Sequence, residues 1–178
     1  SVLSFFSDKQ EYTAGETAVI QLPEATQGRA LVTVENGSRI ISNRWIEFDK
    51  GKSKFDLPVT AEMTPNVYVS VALIQPHKDK KNDRPIRLYG VIPLSVKDPA
   101  TLLQPVVQAD DQWRPETKGV VKVSEKDGRP MDYTVAIVDE GLLGLTNFKT
   151  PDIHKNFYKK EALGITPWDL YDYVVGAY

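Results

Sequence analysis

The 178 residues carry 22 lysines and arginines against 24 acids, a formal charge of −2, with 41% hydrophobic and 26% charged residues. This is a globular composition, enough for one large or two small domains. It excludes the basic footprint of a nucleic-acid binder, and no apolar run approaches the roughly 20 residues of a membrane-spanning helix, so no membrane insertion is expected of this piece. Cysteine is absent and only His77 and His154 supply imidazole. Disulfides, thiolate sites and cysteine nucleophiles are thereby excluded, and a histidine metal site or a Ser-His-Asp triad has no basis.

Ser1 follows no methionine, basic segment or apolar leader, and Tyr178 ends an aromatic stretch abruptly. Both ends read as cuts in a longer protein. Over residues 1–98, short β-branched or alternating runs recur between turn residues. Strands are expected at Val2–Ser7, Thr17–Leu22, Arg29–Glu35, Arg39–Phe48, Lys54–Val59, Asn66–Gln75 and Arg87–Val96. In Val67–Leu73 every odd position is apolar, as a strand facing a core requires. Asn36-Gly37 predicts a hairpin with a positive-φ type I′ turn. Asp49-Lys50-Gly51 and Thr64-Pro65-Asn66 read as further punctuation, and His77–Pro85 as a charged, solvated loop. Seven strands without a helical period predict an antiparallel sandwich of the immunoglobulin or fibronectin type III kind, with no helix before residue 150.

A second module is expected from residue 99 to 178, with strands at Pro105–Ala109, Gly119–Ser124 and Tyr133–Val138 and a turn at Lys126–Pro130. Three strands leave wet faces, so this module is partial as sequence or borrows packing from its neighbour. Helical pieces are predicted at Pro151–Lys159 and from Thr166, where Pro167 suits the first helical position. The segments Ser7–Glu16 and Gln108–Thr117 share an acid, a spacer, an aromatic, a turn and an acid before a β-run, a weak internal repeat.

The most informative stretch runs from Tyr133 to Leu145. Its apolar run predicts a buried central strand, Val135 and Ile137 on one face and Ala136 and Val138 on the other, so that Ile137→Ala should cost about 2–5 kcal/mol. Asp139 and Glu140 are adjacent, and neighbouring strand residues point to opposite faces. They therefore make a poor acid–base pair, and Gly141 reads as relief for an acidic turn. Asp79 and Asp83 are too few for calcium. Trp168, Tyr171 and Tyr173, with Phe157 and Tyr158, suit aromatic anchors that pin a linker onto a sheet, with Phe157 and Trp168 mostly buried and the residues after Val175 exposed.

The run YTVAIVDEGLLGLTNFKTPD, the later FYKKEALGITPWDLYDYVVGAY and the opening DKQEYTAGETAVIQLP together resemble the bacterial α2-macroglobulin family. The matching signature residues are Val138, Asp139, Glu140, Gly141, Leu142 and Leu143, then Thr150, Pro151, Asp152 and Phe157, then Leu163, Gly164, Asp169, Leu170, Tyr171, Asp172 and Tyr173. The resemblance implies two tandem macroglobulin β-sandwiches, the second partial with short C-terminal helices, lying just before a protease bait region that would follow Tyr178. It implies a non-catalytic scaffold of a broad-spectrum protease-trapping inhibitor, with no cofactor. The implied partners are other macroglobulin domains of the same chain, and proteases as targets of the whole protein. The implied location is the periplasm or cell envelope, with a lipoprotein parent among the options. The family's C-x-E-Q thioester motif is absent, since there is no cysteine. The rival reading is an adhesin or carbohydrate-binding sandwich using the tyrosines as a sugar platform.

Overall fold

The computed structural model describes residues 2–75 and 86–175; the expected charged loop His77–Pro85 lies outside them, as does the stretch after Val175. The chain is mostly β, with strands gathered in sheets and a few short helices. It forms two compact units, Ser1–Asp98 together with Tyr158–Tyr178, and Pro99–Phe157. The stretch 158–178, expected to continue the second module, groups with the first.

The first unit contains β1 (Phe6–Ser7), β2 (Glu11–Thr13), β3 (Thr17–Gln21), β4 (Gly28–Glu35), β5 (Ile40–Phe48), β6 (Lys54–Pro58), β7 (Asn66–Gln75) and β8 (Ile86–Lys97). They form a three-stranded sheet in the order β1-β3-β6 and a five-stranded sheet in the order β2-β8-β7-β4-β5. Pairing is antiparallel throughout except β2 on β8, which is parallel. Among the described residues eight strands thus replace the expected seven. Val2 makes only an isolated bridge to Tyr89, and the chain bends so that Glu11–Thr13 becomes a separate strand.

Period-two alternation decides which face is buried. Val67, Val69, Val71 and Leu73 of β7 are fully enclosed, opposed through the register by Leu94 of β8 and by Ala30, Val32 and Val34 of β4. Ala18 and Ile20 of β3, with Phe55 and Leu57 of β6, supply the other layer. Phe48 meets Phe55 with ring centroids 6.3 Å apart at a tilt of 59°. Each enclosed aliphatic side chain contributes about 1.5–3 kcal/mol.

The opening motif explains itself chemically. Tyr12 is buried, and its hydroxyl donates to Asp8 Oδ1 at 2.6 Å while accepting from the Lys9 N–H at 2.9 Å. The same Asp8 oxygen accepts from the Val19 N–H at 2.8 Å. The Tyr12 hydroxyl and that N–H hold the Asp8 carboxyl below its usual range. Gly15 turns the chain at φ +99°, a left-handed value that suits glycine, and Glu16 Oε2 closes the turn by accepting from the Thr13 N–H at 2.8 Å.

Asn36-Gly37 does lie in the β4–β5 hairpin, but neither residue takes a positive φ. The Asn36 side chain instead accepts from the N–H groups of Ser38 at 3.1 Å and Arg39 at 2.9 Å. It builds a wider loop in place of a type I′ turn.

In the second unit, β9 (Pro105–Gln108) and β10 (Lys122–Glu125) pair antiparallel, from Lys122 opposite Gln108 to Glu125 opposite Pro105. The expected strand Tyr133–Val138 does not form: Val135 is 45% and Ile137 69% exposed, and the segment has no ladder partner among the described residues. Its residues have strand chemistry, but a strand needs a neighbour, and none is placed beside it. Helix also begins earlier than expected: single 3-10 turns stand at Ala61–Met63 and Pro99–Thr101, and α1 (Glu140–Thr146) precedes α2 (Ile153–Phe157). The second copy of the opening motif diverges too, since Trp113 is exposed where Tyr12 is enclosed.

One buried carboxylate organises this unit. The Glu125 side chain is fully enclosed. Its oxygens accept from the N–H groups of Gln104 at 3.1 Å, Asp127 at 2.7 Å and Arg129 at 3.2 Å, and from the Arg129 guanidinium at 3.1 Å. Burial alone would raise its pKa, but the Arg129 guanidinium and the three N–H groups outweigh it and hold the carboxyl at about 2. Arg129 also donates to the carbonyls of Ala100, at 3.0 Å, and Leu102.

Candidate functional site

The residues after Phe157 carry Gly164, Pro167 and clustered aromatics, which favour an extended, irregular path over a helix. Regular structure returns only in α3 (Tyr171–Val175). The intervening residues form a strap on the first unit, fastened at two places to the outer face of the five-stranded sheet.

The first fastening is built on Asn66, the buried first residue of β7. A carboxamide presents one acceptor and two donors, as a peptide unit does. Its Oδ1 accepts from the Glu161 N–H at 2.8 Å and its Nδ2 donates to the Glu161 carbonyl at 3.1 Å. Tyr68, two residues along β7, donates its hydroxyl to the same carbonyl at 3.0 Å. The Gly37 N–H donates to Glu161 Oε2 at 3.2 Å. Three residues on, Gly164 passes so close to the hairpin that any Cβ there would stand 1.9 Å from the Gly37 carbonyl oxygen. Only glycine fits.

Across the ladder from Tyr68 lies Glu35, enclosed despite its charge. Burial pushes its carboxyl above the usual range. Tyr89, on the same face, is likewise raised by burial, with the Ser70 hydroxyl opposing the shift.

The second fastening sits at the far end of β7, where Ile74 pairs with Arg87. Arg87 forms an ion pair with Asp169 Oδ2, and its guanidinium lies 5.2 Å over the Tyr171 ring. Asp169 Oδ1 accepts from the Tyr171 N–H at 2.9 Å, starting α3. Between the fastenings the strap covers eight residue steps, Glu161 to Asp169, as many as separate Asn66 from Ile74 on β7.

The signature residues therefore divide. Val138, half in solvent, precedes α1, and Asp139 caps that helix by accepting from the Gly141 N–H at 2.8 Å, with Glu140 in its first turn. Leu142 and Leu143 are exposed on it. Thr150 and Pro151 are exposed, and Asp152 starts α2 by accepting from the Lys155 N–H at 2.9 Å. Phe157 and Trp168, expected to be buried anchors, are 81% and 76% exposed. Leu163, Leu170, Asp172 and Tyr173 are exposed as well. The strap is held by backbone-directed polar groups, which need no ring burial, and of its signature residues only Gly164, Asp169 and Tyr171 touch the fastenings. Asn66, Tyr68, Arg87 and Glu161 escape the sequence reading; Asn66 passes there for turn punctuation. His154 meets the Thr101 hydroxyl at 2.9 Å. Among the described residues no three His, Cys, Asp or Glu side chains gather as a metal set.

Comparison with known proteins agrees with the resemblance. The chain is 27% identical over 176 residues to the Escherichia coli alpha-2-macroglobulin, which covers 94% of this chain and 10% of that protein. It is 26% identical over 175 residues to the Xylella fastidiosa (strain 9a5c) alpha-2-macroglobulin, covering 96% of this chain and 10% of that one. It thus spans about a tenth of these relatives' length. Among solved structures it is similar to the native conformation of E. coli alpha-2-macroglobulin seen by cryo-EM, at a TM-score of 0.48 and 23% identity over 92% of this chain and 11% of that one. It is also similar to the crystal structure of the trypsin-activated form, at 0.49 and 21%. Residues 3–145 match the family described as the alpha-2-macroglobulin bait region domain. That match takes in well over half of the chain, and the chain belongs to this family.

Proposed function

We propose that this chain is a non-catalytic scaffold within a bacterial α2-macroglobulin that traps proteases, and that its strap leads towards the segment a protease attacks. The match of residues 3–145 to the bait region domain family supports the trap reading, and the strap follows that matched stretch in the chain. The geometry supports it: the strap is positioned by backbone-directed bonds, and its fastenings hold no nucleophile beside a base. The work is mechanical. Proteases are the partners of the whole protein, and sister domains those of this chain; a periplasmic or envelope location belongs to the same proposal.

The test uses the whole protein. Incubated with trypsin, it should suppress hydrolysis of a large protein substrate while leaving cleavage of a small peptide substrate nearly intact, because a trap excludes by size. The 178-residue chain alone should neither cleave casein nor form adducts stable in denaturant. Unaltered hydrolysis of the large substrate sinks the trap reading, and proteolysis by the chain alone sinks the non-catalytic one.

A further inference from the structure

The two fastenings of the strap differ in physical kind. The Arg87–Asp169 pair is partly exposed, with side chains 30% and 49% open to solvent. Exposed pairs contribute little and are screened by salt. The Asn66–Glu161 clasp is neutral, bidentate and formed on a side chain only 1% exposed. Releasing it gives up two bonds made out of reach of water for bonds to water, a cost that involves no charge and so does not depend on salt.

We propose that the strap is a two-stage latch in which Asn66 is the positioning residue and the stop. The Arg87 end opens first, freeing Asp169, while the Asn66 clasp keeps Glu161 in register on the sheet. A pull from the C-terminal side then peels the strap back along β7 as far as Glu161 and halts there. Three features point the same way. Asn66 engages both polar groups of one peptide residue, which fixes register as a strand neighbour would. Tyr68 and Gly37 add bonds to that residue alone. Gly164 seats against Gly37 with no room for a side chain, so the strap cannot slip along the hairpin. The mechanical consequence rests on the scaffold reading above; the latch itself does not.

The experiment measures two things on the 178-residue chain: amide exchange at the Glu161 N–H, and chymotrypsin cleavage at the exposed Trp168 and Tyr173. In the unaltered chain Glu161 should be protected. Arg87→Gln, or 1 M salt, should speed cleavage about threefold or more while Glu161 stays protected. Asn66→Ala should speed exchange at Glu161 about tenfold or more, with β4 and β7 amides unchanged. Gly164→Val leaves the sheet untouched and should do the same, so the proposal stays testable if Asn66→Ala fails to fold. An unprotected Glu161 in the unaltered chain overturns the latch. So does loss of its protection in Arg87→Gln, or retained protection in Gly164→Val. Failure of the latch leaves trapping by the whole protein intact, and failure of trapping leaves the exchange pattern intact, so the two are separable.

Discussion

Asn66 and Glu161 stand 95 positions apart in sequence, yet the carboxamide of one takes both backbone polar groups of the other, at 2.8 and 3.1 Å. A side chain here serves as a substitute strand neighbour, which is why a segment without regular structure keeps a defined path.

The opening motif of the first unit should be sensitive to a single oxygen. Tyr12→Phe removes the hydroxyl that joins Asp8 to the Lys9 N–H, leaving that N–H unmatched and Asp8 one donor short, with the Val19 N–H still on its Oδ1. The expected loss is about 1–2 kcal/mol, read as a lower urea midpoint for unfolding of the first unit at an unchanged slope.

Core and unpaired strand-like positions should respond differently to the same truncation. Leu73 is fully enclosed, and Leu73→Ala should cost about 2–5 kcal/mol. Ile137 is 69% exposed, so Ile137→Ala should stay within about 0.5 kcal/mol. Equal shifts in denaturant midpoint for the two variants would mean that Tyr133–Val138 is packed after all.

The first unit was largely legible because its strands alternate between a dry and a wet face, and that pattern is written in Val67–Leu73 and its neighbours. The Tyr133–Val138 segment has the same chemistry but no ladder partner among the described residues, and sequence pattern describes one strand's needs without locating a neighbour. The strap was legible as a connection but not in its fastenings. Phe157 and Trp168 drew attention as large apolar groups, whereas docking rests on Asn66 and Gly37, which sequence reading assigns to turns, and on Gly164, which it takes only as a signature residue. The early start of helix at Glu140 follows from Asp139, whose capping role an acidic turn conceals.

Acid should loosen the second unit through Glu125. Its carboxyl is held at about 2 in the folded chain, against about 4.3 in an unfolded one. A depressed folded pKa stabilises the fold fully above the unfolded value, and that contribution fades as pH falls from about 4.5 towards 2. Protection of the Asp127 and Arg129 amides, taken against the intrinsic exchange rate at each pH, should therefore fall over this window. Glu125→Gln should exchange faster at neutral pH and show a much flatter acid dependence; an unchanged profile would remove Glu125 as the organising group.

The claim that this chain is a scaffold leading to a protease-attacked segment is tested most directly by mapping first cuts. The whole protein is exposed briefly to chymotrypsin at a low ratio, and the earliest fragments are identified by mass spectrometry. The account predicts that the first cut falls beyond Pro167, with β1 to β8 intact and the strap still protected at Glu161. A first cut within residues 2–75, under conditions where the rest of the protein is untouched, would contradict it.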